Sequence, residues 1–377
     1  MENLSRRSFL GLTACAAAAS ATPAQGEAPL CRFLFFCDVH VERDWLERGR
    51  DVYTCWKPGN HLALELTYAF ANADPLCRTA DFALFGGDQL NTGYWSERQE
   101  LEAEREIFRR TLSRLELAHP ASSAELARFD FHTSGPYLLT QNLGRGEKPF
   151  VVTPPPLSSR VIAIQGNHDT GVADFYRECA FRCGGVKFIT FFASYVGLPA
   201  PKGHYRSTAS ISDASLDFIA RELASAASDP TIRRTVLVSH WAIAPRGPDF
   251  KCPILDRLDE TPLYGGKMND NRGKLLALVE KYGCDLYLNG HEHNGRFPVG
   301  LVGRLPDVNC GTLTARPNGK GPESGGAFAL VEIFANRAVL HVHSRAEVAM
   351  EGGKPVVLAQ PRHLFDREVV FAQKIVG

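Results

Sequence analysis

Short apolar runs that stop abruptly at polar residues recur along the chain. Five of them are Cys31–Cys37, Phe82–Phe85, Val161–Ile164, Thr235–Val238 and Cys284–Leu288. Runs of this length that are rich in β-branched or aromatic residues and bounded by glycine or polar residues are typical of buried strands. The pattern therefore predicts five strands spread over most of the chain.

Segments of helical length alternate with these strands. We predict helices over His61–Asn72, Asp213–Ala224 and Asn271–Tyr282. Ser212, or the aspartate after it, is a suitable N-cap for the second helix, and Gly283 is a suitable C-cap for the third. The alternation of strands and helices indicates an α/β fold.

The segment from Thr92 to Ser158 interrupts this alternation. Its apolar residues recur on one face of a helix predicted over Trp95–Leu117, and loops containing Pro and Gly follow. We predict that residues 92–158 form an inserted helical cap between two core strands.

The last part of the chain is rich in β-type segments. Val308–Leu313, Ala327–Ile333 and Ala338–His343 are expected to complete a second sheet. A chain of 377 residues is long enough for one large domain. We expect a catalytic domain over 28–345 and a C-terminal extension, 346–377, that packs on it.

Composition and charge narrow the functional classes. Hydrophobic residues make up 44% of the chain and charged residues 22%, as in ordinary soluble globular proteins. The 42 Lys and Arg residues balance the 42 Asp and Glu residues, whereas nucleic-acid-binding proteins usually have a basic excess. No apolar run after the N-terminus reaches membrane-spanning length. We therefore expect neither a nucleic-acid-binding surface nor a transmembrane segment in the mature chain.

The N-terminus resembles a twin-arginine export signal. The motif is Ser5–Leu10, and a small-residue apolar stretch, Leu10–Ala19, and a suitable signal-peptidase site at Ala19–Ala21 follow it. We expect the twin-arginine export machinery to deliver the folded protein to the periplasm or the medium, with residues 1–27 as the signal peptide. Lipidation at Cys15 is the alternative, because the residues leading to it resemble a lipoprotein processing box.

Polar side chains of the kind that bind metals follow all five predicted strands. They are Asp38, His40, Asp88, Asn167, His168, Asp169, His240, His291 and His293. Sheets of α/β proteins place their functional residues at the carboxyl ends of strands. A mixture of carboxylate, amide and imidazole donors without thiolates suits two neighbouring transition-metal ions better than a structural zinc site. Each motif alone is also compatible with an ordinary turn, since Asn, Asp and Gly favour turns.

The series resembles the motifs of the calcineurin-like metallophosphoesterases. The motifs are Asp38-x-His40, Gly87-Asp88-x-x-Asn91, Gly166-Asn167-His168-Asp169, His240 and Gly290-His291-x-His293. The resemblance implies a four-layer α/β/β/α sandwich of two mixed sheets with flanking helices, with two metal ions at the sheet ends.

The resemblance also implies a role for each residue. The implied ligands are Asp38, His40 and His293 for the first metal ion, Asn167, His240 and His291 for the second, and Asp88 for both. His168 would protonate the leaving oxygen and would be oriented by Asp169, while a hydroxide that bridges the metals would attack phosphorus. The ions would be divalent or trivalent, and Mn, Fe and Zn all accept these donors.

Some positions depart from particular branches of that family. His40 in place of a glycine, and the lack of a Tyr three places after Asp88, are unlike the purple acid phosphatases. The residues after Asn91 are unlike those of the protein Ser/Thr phosphatases. Trp241 stands where Pro is frequent.

We therefore expect a metal-dependent hydrolase of a small phosphate ester, either a phosphodiesterase or a broad phosphatase. Extra cations near the site would favour monoesters, and candidates for such contacts or for the pocket border are Arg98, Arg105, Arg114, His204, Tyr205, Arg246 and Lys251. A non-catalytic binding or scaffold protein on the same fold is the alternative, although such a protein is expected to have lost ligands. A redox metalloprotein would also suit export, but the sequence has no haem, flavin or iron–sulfur motif.

Overall fold

The computed structural model of the protein describes residues 27–41, 60–91, 98–139, 148–199, 205–243, 271–293, 296–313 and 326–372. Its strands are β1 (Cys31–Phe36), β2 (Phe82–Phe85), β3 (His132–Thr133), β4 (Tyr137–Leu139), β5 (Phe150–Val152), β6 (Val161–Ala163), β7 (Cys179–Cys183), β8 (Val186–Thr190), β9 (Ala193–Pro199), β10 (Tyr205–Ile211), β11 (Arg234–Val238), β12 (Leu286–Asn289), β13 (Val299–Val302), β14 (Leu305–Asn309), β15 (Ala327–Ile333), β16 (Arg337–Ser344), β17 (Glu347–Glu351), β18 (Lys354–Ala359) and β19 (His363–Val370). Its helices are α1 (Asn60–Ala73), α2 (Arg98–Leu112), α3 (Ser123–Ala127), α4 (Asp213–Ser228) and α5 (Asn271–Tyr282). Apart from its last residue, the predicted signal segment lies outside the described residues.

Two mixed sheets form the centre of the fold. The first has the strand order β19–β16–β15–β1–β2–β6, in which β1, β2 and β6 are parallel and the other pairings are antiparallel. The second has the order β13–β14–β12–β11–β8–β7–β3, in which β14, β12, β11 and β8 are parallel and the pairings towards the edges are antiparallel. The remaining described strands form the hairpins β4–β5, β9–β10 and β17–β18.

Aromatic side chains fill the space between the two sheets. Phe33 and Phe82 of the first sheet stack with ring centroids 5.1 Å apart, and Phe181 and Phe188 of the second stack at 4.8 Å. The two pairs meet edge to face, with Phe82 5.1 Å from Phe181. All four rings are fully buried, so they hold the sheets face to face and fix the separation of the loops at their ends.

Helices cover the outer faces of both sheets. Tyr68 of α1 packs edge-on against Phe36, and Phe108 of α2 packs edge-on against Phe85, both on the first sheet. Helices α4 and α5 pack on the second sheet through buried side chains such as Phe218. The predicted four-layer α/β/β/α sandwich is confirmed. None of the helices that the structure describes is long and apolar enough to cross a membrane.

The described parts of the segment predicted as a helical cap, residues 98–139 and 148–158, contact both sheets. Its main helix, α2, begins at Arg98 and buries its apolar face, including Phe108, on the first sheet. Its strand β3 pairs with β7 at the edge of the second sheet. The apolar stripe of α2 needs a large apolar surface to bury it, and the outer face of the first sheet provides one. The predicted C-terminal extension contributes β19, which pairs with β16 in the first sheet.

Candidate metal centre

All seven residues predicted as metal ligands meet at one end of the sandwich. They lie in the loops that follow β1, β2 and β6 of the first sheet and β11 and β12 of the second. The seven are Asp38, His40, Asp88, Asn167, His240, His291 and His293. Because the strands within each of these two sets are parallel, their carboxyl ends deliver the loops to the same place.

Asp38, His40 and His293 form a first group of donor atoms. The Nε2 atoms of His40 and His293 are 3.1 Å apart, and Nε2 of His293 is 3.1 Å from Oδ1 of Asp38. Nε2 of His40 is 3.7 Å from the same oxygen. Residues from two distant parts of the chain thus direct three donor atoms at one another.

Asn167, His240 and His291 form a second group. Nδ1 of His291 is 3.2 Å from Nε2 of His240 and 3.0 Å from Oδ1 of Asn167. Asp88 lies between the groups, because its Oδ2 is 3.1 Å from Nε2 of His240 and 3.6 Å from Nε2 of His40. This arrangement has the form of two metal positions that share one carboxylate.

Backbone hydrogen bonds hold both aspartates. The N–H of His291 donates to Oδ2 of Asp38 at 2.9 Å, and the N–H of His168 donates to Oδ1 of Asp88 at 2.8 Å. One oxygen of each carboxylate is therefore fixed by a neighbouring loop, and the other faces the imidazoles. The two loops that carry His168 and His291 are positioned by the same side chains that line the site.

Two glycines allow these loops to approach the aspartates. A Cβ atom on Gly290 would lie 2.6 Å from Oδ2 of Asp38 and would collide with Sγ of Cys37. A Cβ atom on Gly166 would collide with Oδ1 of Asp88. At both positions only a residue without a side chain leaves room for the carboxylate.

The backbone at the site adopts a conformation that side chains disfavour. Positive φ angles occur at Asp38 (50°), His40 (45°), Asp88 (55°), His291 (67°) and His293 (50°). Among the other described residues apart from glycine, only Asp130 and Phe297 share this feature. Such conformations cost about 1–3 kcal/mol each and persist where the surrounding structure enforces them. Five strained residues in one cluster are typical of a functional site.

Burial and charge set the protonation of the cluster. Burial lowers the pKa of His40 to about 4 and that of His291 to about 3, so both rings are neutral at pH 7. Burial opposes ionisation of Asp38 and Asp88, but the neighbouring histidines hold the pKa of each below its usual range. Burial also disfavours protonated His240, yet the carboxylates of Asp88 and Asp38 raise its pKa to about 9. The two carboxylates therefore favour positive charge at this point.

These residues fit a pair of transition-metal ions. Neutral imidazoles, ionised carboxylates and an amide oxygen are the donors that Mn, Fe and Zn accept. Donor atoms of Asp38, His40 and His293 all lie within 4.8 Å of one another, as ligands of one ion do. Imidazole nitrogens facing each other at 3.1–3.2 Å place lone pairs in opposition unless a proton or a cation lies between them. A cation in each group would be bound by these donor atoms and would also remove the repulsion between the opposed lone pairs.

His168 lies beside the two groups in a defined orientation. Its Nδ1 is 2.5 Å from the main-chain oxygen of Asn91, and this oxygen can only accept, so Nδ1 carries the hydrogen. Its Nε2 is 3.9 Å from Oδ2 of Asp88. The side chain is 27% exposed, which leaves it open to a molecule that enters from solvent.

Asp169 does not orient His168, contrary to the expectation from the sequence. Its buried carboxylate accepts the backbone N–H groups of Gln89, Leu90 and Gly166 at 2.9–3.1 Å. The turn directs neighbouring side chains to different sides, so adjacency in the sequence was misleading. Burial raises the pKa of Asp169 to about 7, although the three N–H donors oppose the rise. Asp169 joins the loops after β2 and β6, and Asn91 holds the His168 ring.

Two of the predicted cationic contacts, Arg105 and Arg114, have other partners in the structure. Arg105 of α2 binds Asp174 in a bidentate manner, with both nitrogen–oxygen distances at 2.9 Å. Nε of Arg114 is 3.8 Å from a carboxylate oxygen of Glu65. His204, Arg246 and Lys251 lie outside the described residues.

A buried network of hydrogen bonds behind the histidine loops was not predicted from the sequence. The carboxylate of Asp307 accepts from Nδ2 of Asn289 at 2.6 Å and from the N–H of Ile243 at 2.9 Å. Nδ2 of Asn309 donates to Oδ1 of Asn289 at 3.0 Å. These contacts tie the loop after His240 to the strand that leads into the His291 loop. The sequence feature that could have indicated this network is the presence of Asp307 and Asn309 within an otherwise apolar segment.

Comparisons with known proteins place the chain among related folds. A family model described as calcineurin-like phosphoesterase matches residues 31–295. No curated protein sequence matches the chain. Among solved structures, GAP50, the anchor in the inner membrane complex of Plasmodium, is 13% identical, with a TM-score of 0.43 and coverage of 92% of this chain and 90% of that one. PhoD is 11% identical, with a TM-score of 0.45 and coverage of 90% and 72%. Vps29 from Chaetomium thermophilum is 10% identical, with a TM-score of 0.31 and coverage of 91% and 98%.

We predict that Gly290→Ala weakens metal binding because the new methyl group displaces the Asp38 carboxylate. Gly273→Ala is the matched control, since nothing lies within 4 Å of a Cβ atom there. Metal content after dialysis, measured by elemental analysis, should fall by about tenfold or more in the first variant, the size expected when a ligand's support is lost. Equal metal content in both variants would contradict the assigned packing.

Proposed function

This chain belongs to the calcineurin-like phosphoesterase family, and we propose that it is a metal-dependent hydrolase of small phosphate esters, acting as a phosphodiesterase or a broad phosphatase. One observation carries the proposal: seven buried or partly buried donor side chains form two groups, with Asp88 between them. A scaffold protein without metals has no need to keep two carboxylates and four imidazoles converging in one place.

In this proposal each group holds one metal ion. Asp38, His40 and His293 hold the first ion, Asn167, His240 and His291 hold the second, and Asp88 contacts both. When bound, the pair supplies Lewis acidity for the phosphoryl oxygens and lowers the pKa of water near the site. The neutral rings of His40 and His291 each offer a ring nitrogen to an ion, whereas His240, whose pKa the two carboxylates raise to about 9, would release its Nε2 proton when an ion binds.

We assign His168 as the general acid. The main-chain oxygen of Asn91 fixes its Nδ1–H, so Nε2 is the atom that carries the transferable proton. Nε2 faces the site and the ring is partly exposed, so the departing oxygen of an ester has access to it. The ring transfers this proton as the ester bond breaks, and Asn91 keeps it aligned.

We also propose that the protein is exported by the twin-arginine machinery and acts in the periplasm or the medium. The support is the motif Ser5–Leu10 and the small-residue stretch after it.

Asp88→Ala should lose bound metal together with turnover, because both groups use this carboxylate. Asp130→Ala is a matched control: Asp130 also belongs to an Asp-x-His motif but is exposed. Metal content and hydrolysis of a generic phosphodiester report the two effects. A variant at Asp88 with full metal content would overturn the shared-ligand assignment.

His168→Ala should reduce hydrolysis of alkyl phosphate esters by about 10²–10⁴-fold, the usual contribution of a general acid. Nitrophenyl esters should be affected far less, because their leaving group departs without a proton. The comparison requires kcat/KM for both esters in the wild type, in His168→Ala and in the control His119→Ala, in which the altered histidine is exposed. Equal losses on both esters in His168→Ala would count against the assignment.

Replacement of both signal arginines, Arg6→Lys with Arg7→Lys, should retain the protein in the cytoplasm of a bacterial host, because twin-arginine export requires the arginine pair. Arg109→Lys with Arg110→Lys alters a second Arg-Arg pair, on α2, and should leave export unchanged. Cell fractionation followed by immunoblotting measures the distribution. Normal export of the signal variant would rule out this route.

A further inference from the structure

The two histidines of the second group are held in different ways. Nδ1 of His240 is 3.0 Å from the main-chain oxygen of Gly86, so it donates to that oxygen and its Nε2 faces the site. His291 faces the site with Nδ1 instead. Among the residues that the structure describes, Nε2 of His291 has no hydrogen-bond partner. Metal-binding histidines usually have one at this position, and that partner fixes the ring.

The indole ring of Trp241 packs against the His291 ring. The rings of Trp241 and His291 stack with centroids 3.9 Å apart and an interplanar angle of 27°. Trp241 is fully buried. A broad aromatic face at this distance restricts rotation of the imidazole about its Cβ–Cγ bond, because a rotated ring would collide with the indole.

Trp241 is itself fixed from several directions. The hydroxyl of Tyr287 donates to its main-chain oxygen at 2.5 Å, and Ile243, two residues later, donates its N–H to Asp307. Trp241 directly follows His240, whose ring it meets edge-on at 6.0 Å. The segment His240–Trp241 therefore contributes twice to the second group. His240 supplies one of its donor atoms, and the indole of Trp241 lies against His291, which supplies another.

We propose that Trp241 is a positioning residue for the second metal position, where its indole fixes the ring of His291 in place of a hydrogen bond to Nε2, for which the described residues provide no partner. This inference rests on the proposed function, because it requires that His291 bind a metal ion. It concerns the second position: the indole stacks on His291, whereas Asp38, His40 and His293 of the first group direct their donor atoms at one another.

The test is Mn²⁺ binding to the full-length protein, measured without substrate by calorimetric titration of the metal-depleted form. The wild type should bind two ions. Trp241→Leu should weaken the second equivalent by about 10–100-fold, the range seen when the support of a ligand is removed, and leave the first equivalent unchanged. Trp241→Phe, which keeps an aromatic face, should restore most of the lost affinity.

Two controls separate positioning from a general loss of structure. Phe218→Leu shortens a buried aromatic residue of the same outer core on the second sheet and should not change either equivalent. In a His291→Ala background, Trp241→Leu should have no further effect on the second equivalent, because the two residues act as a pair. If Trp241→Leu does not fold, Trp241→Met fills more of the space without a planar face and carries the same expectation.

The outcomes distinguish this inference from the function on which it rests. A wild type that binds two ions and a Trp241→Leu variant with the same affinities would overturn the positioning role and leave the metal centre intact. Equal weakening of both equivalents, or weakening by Phe218→Leu as well, would also overturn it. A wild type that binds no metal would overturn both proposals. The electron paramagnetic resonance spectrum of bound Mn²⁺ gives an independent readout, since at a Mn²⁺ concentration that just fills both positions of the wild type the coupling between the two ions should be lost in Trp241→Leu.

Discussion

The structure of the site depends on two carboxylates that are buried away from water. Asp38 and Asp88 are almost completely inaccessible, and an ionised carboxylate in that position is costly unless positive charge and hydrogen bonds surround it. Backbone N–H groups satisfy one oxygen of each, and imidazoles surround the other. The high pKa of His240 shows the same demand for positive charge. Two metal ions would neutralise the negative charge of the two carboxylates more completely than a single proton does.

The rest of the sandwich makes this arrangement possible. Five residues of the site have strained left-handed backbone, and such strain persists only when the surrounding packing is rigid. The interleaved phenylalanines between the sheets provide that rigidity, because they fix the distance between strands that end at the site. Asp169 adds a local brace by joining two loops through three backbone hydrogen bonds. The packing of the core thus holds these five residues in an unfavourable backbone conformation at the ends of the strands.

Three histidines of the site are held in two ways. A main-chain oxygen of Gly86 holds His240, a main-chain oxygen of Asn91 holds His168, and the indole of Trp241 lies against His291. The first two devices also fix the tautomer, because a carbonyl oxygen can only accept a hydrogen. The third restricts the ring by shape alone.

Much of the fold follows from local sequence pattern. The bounds of β2, α5 and β15 agree with the predicted ones, since each is a well-bounded segment whose length and composition suit one type of structure. The place of α2 did not follow, because an amphipathic stripe shows that a helix must bury one face but not which surface will cover it. The pairing of β19 with β16 did not follow either, because the pattern within residues 346–377 does not identify the strand that will lie beside them.

The sequence by itself determined which residue types reach the site and in which order the strands deliver them. It did so because ligand side chains occur directly after apolar runs, and a strand must end where its apolar run ends. Only the tertiary structure decided which donor atoms face one another and that Asn91 rather than Asp169 holds His168. Those outcomes depend on how loops from distant parts of the chain approach each other across two sheets, and short-range pattern contains no information about such distances.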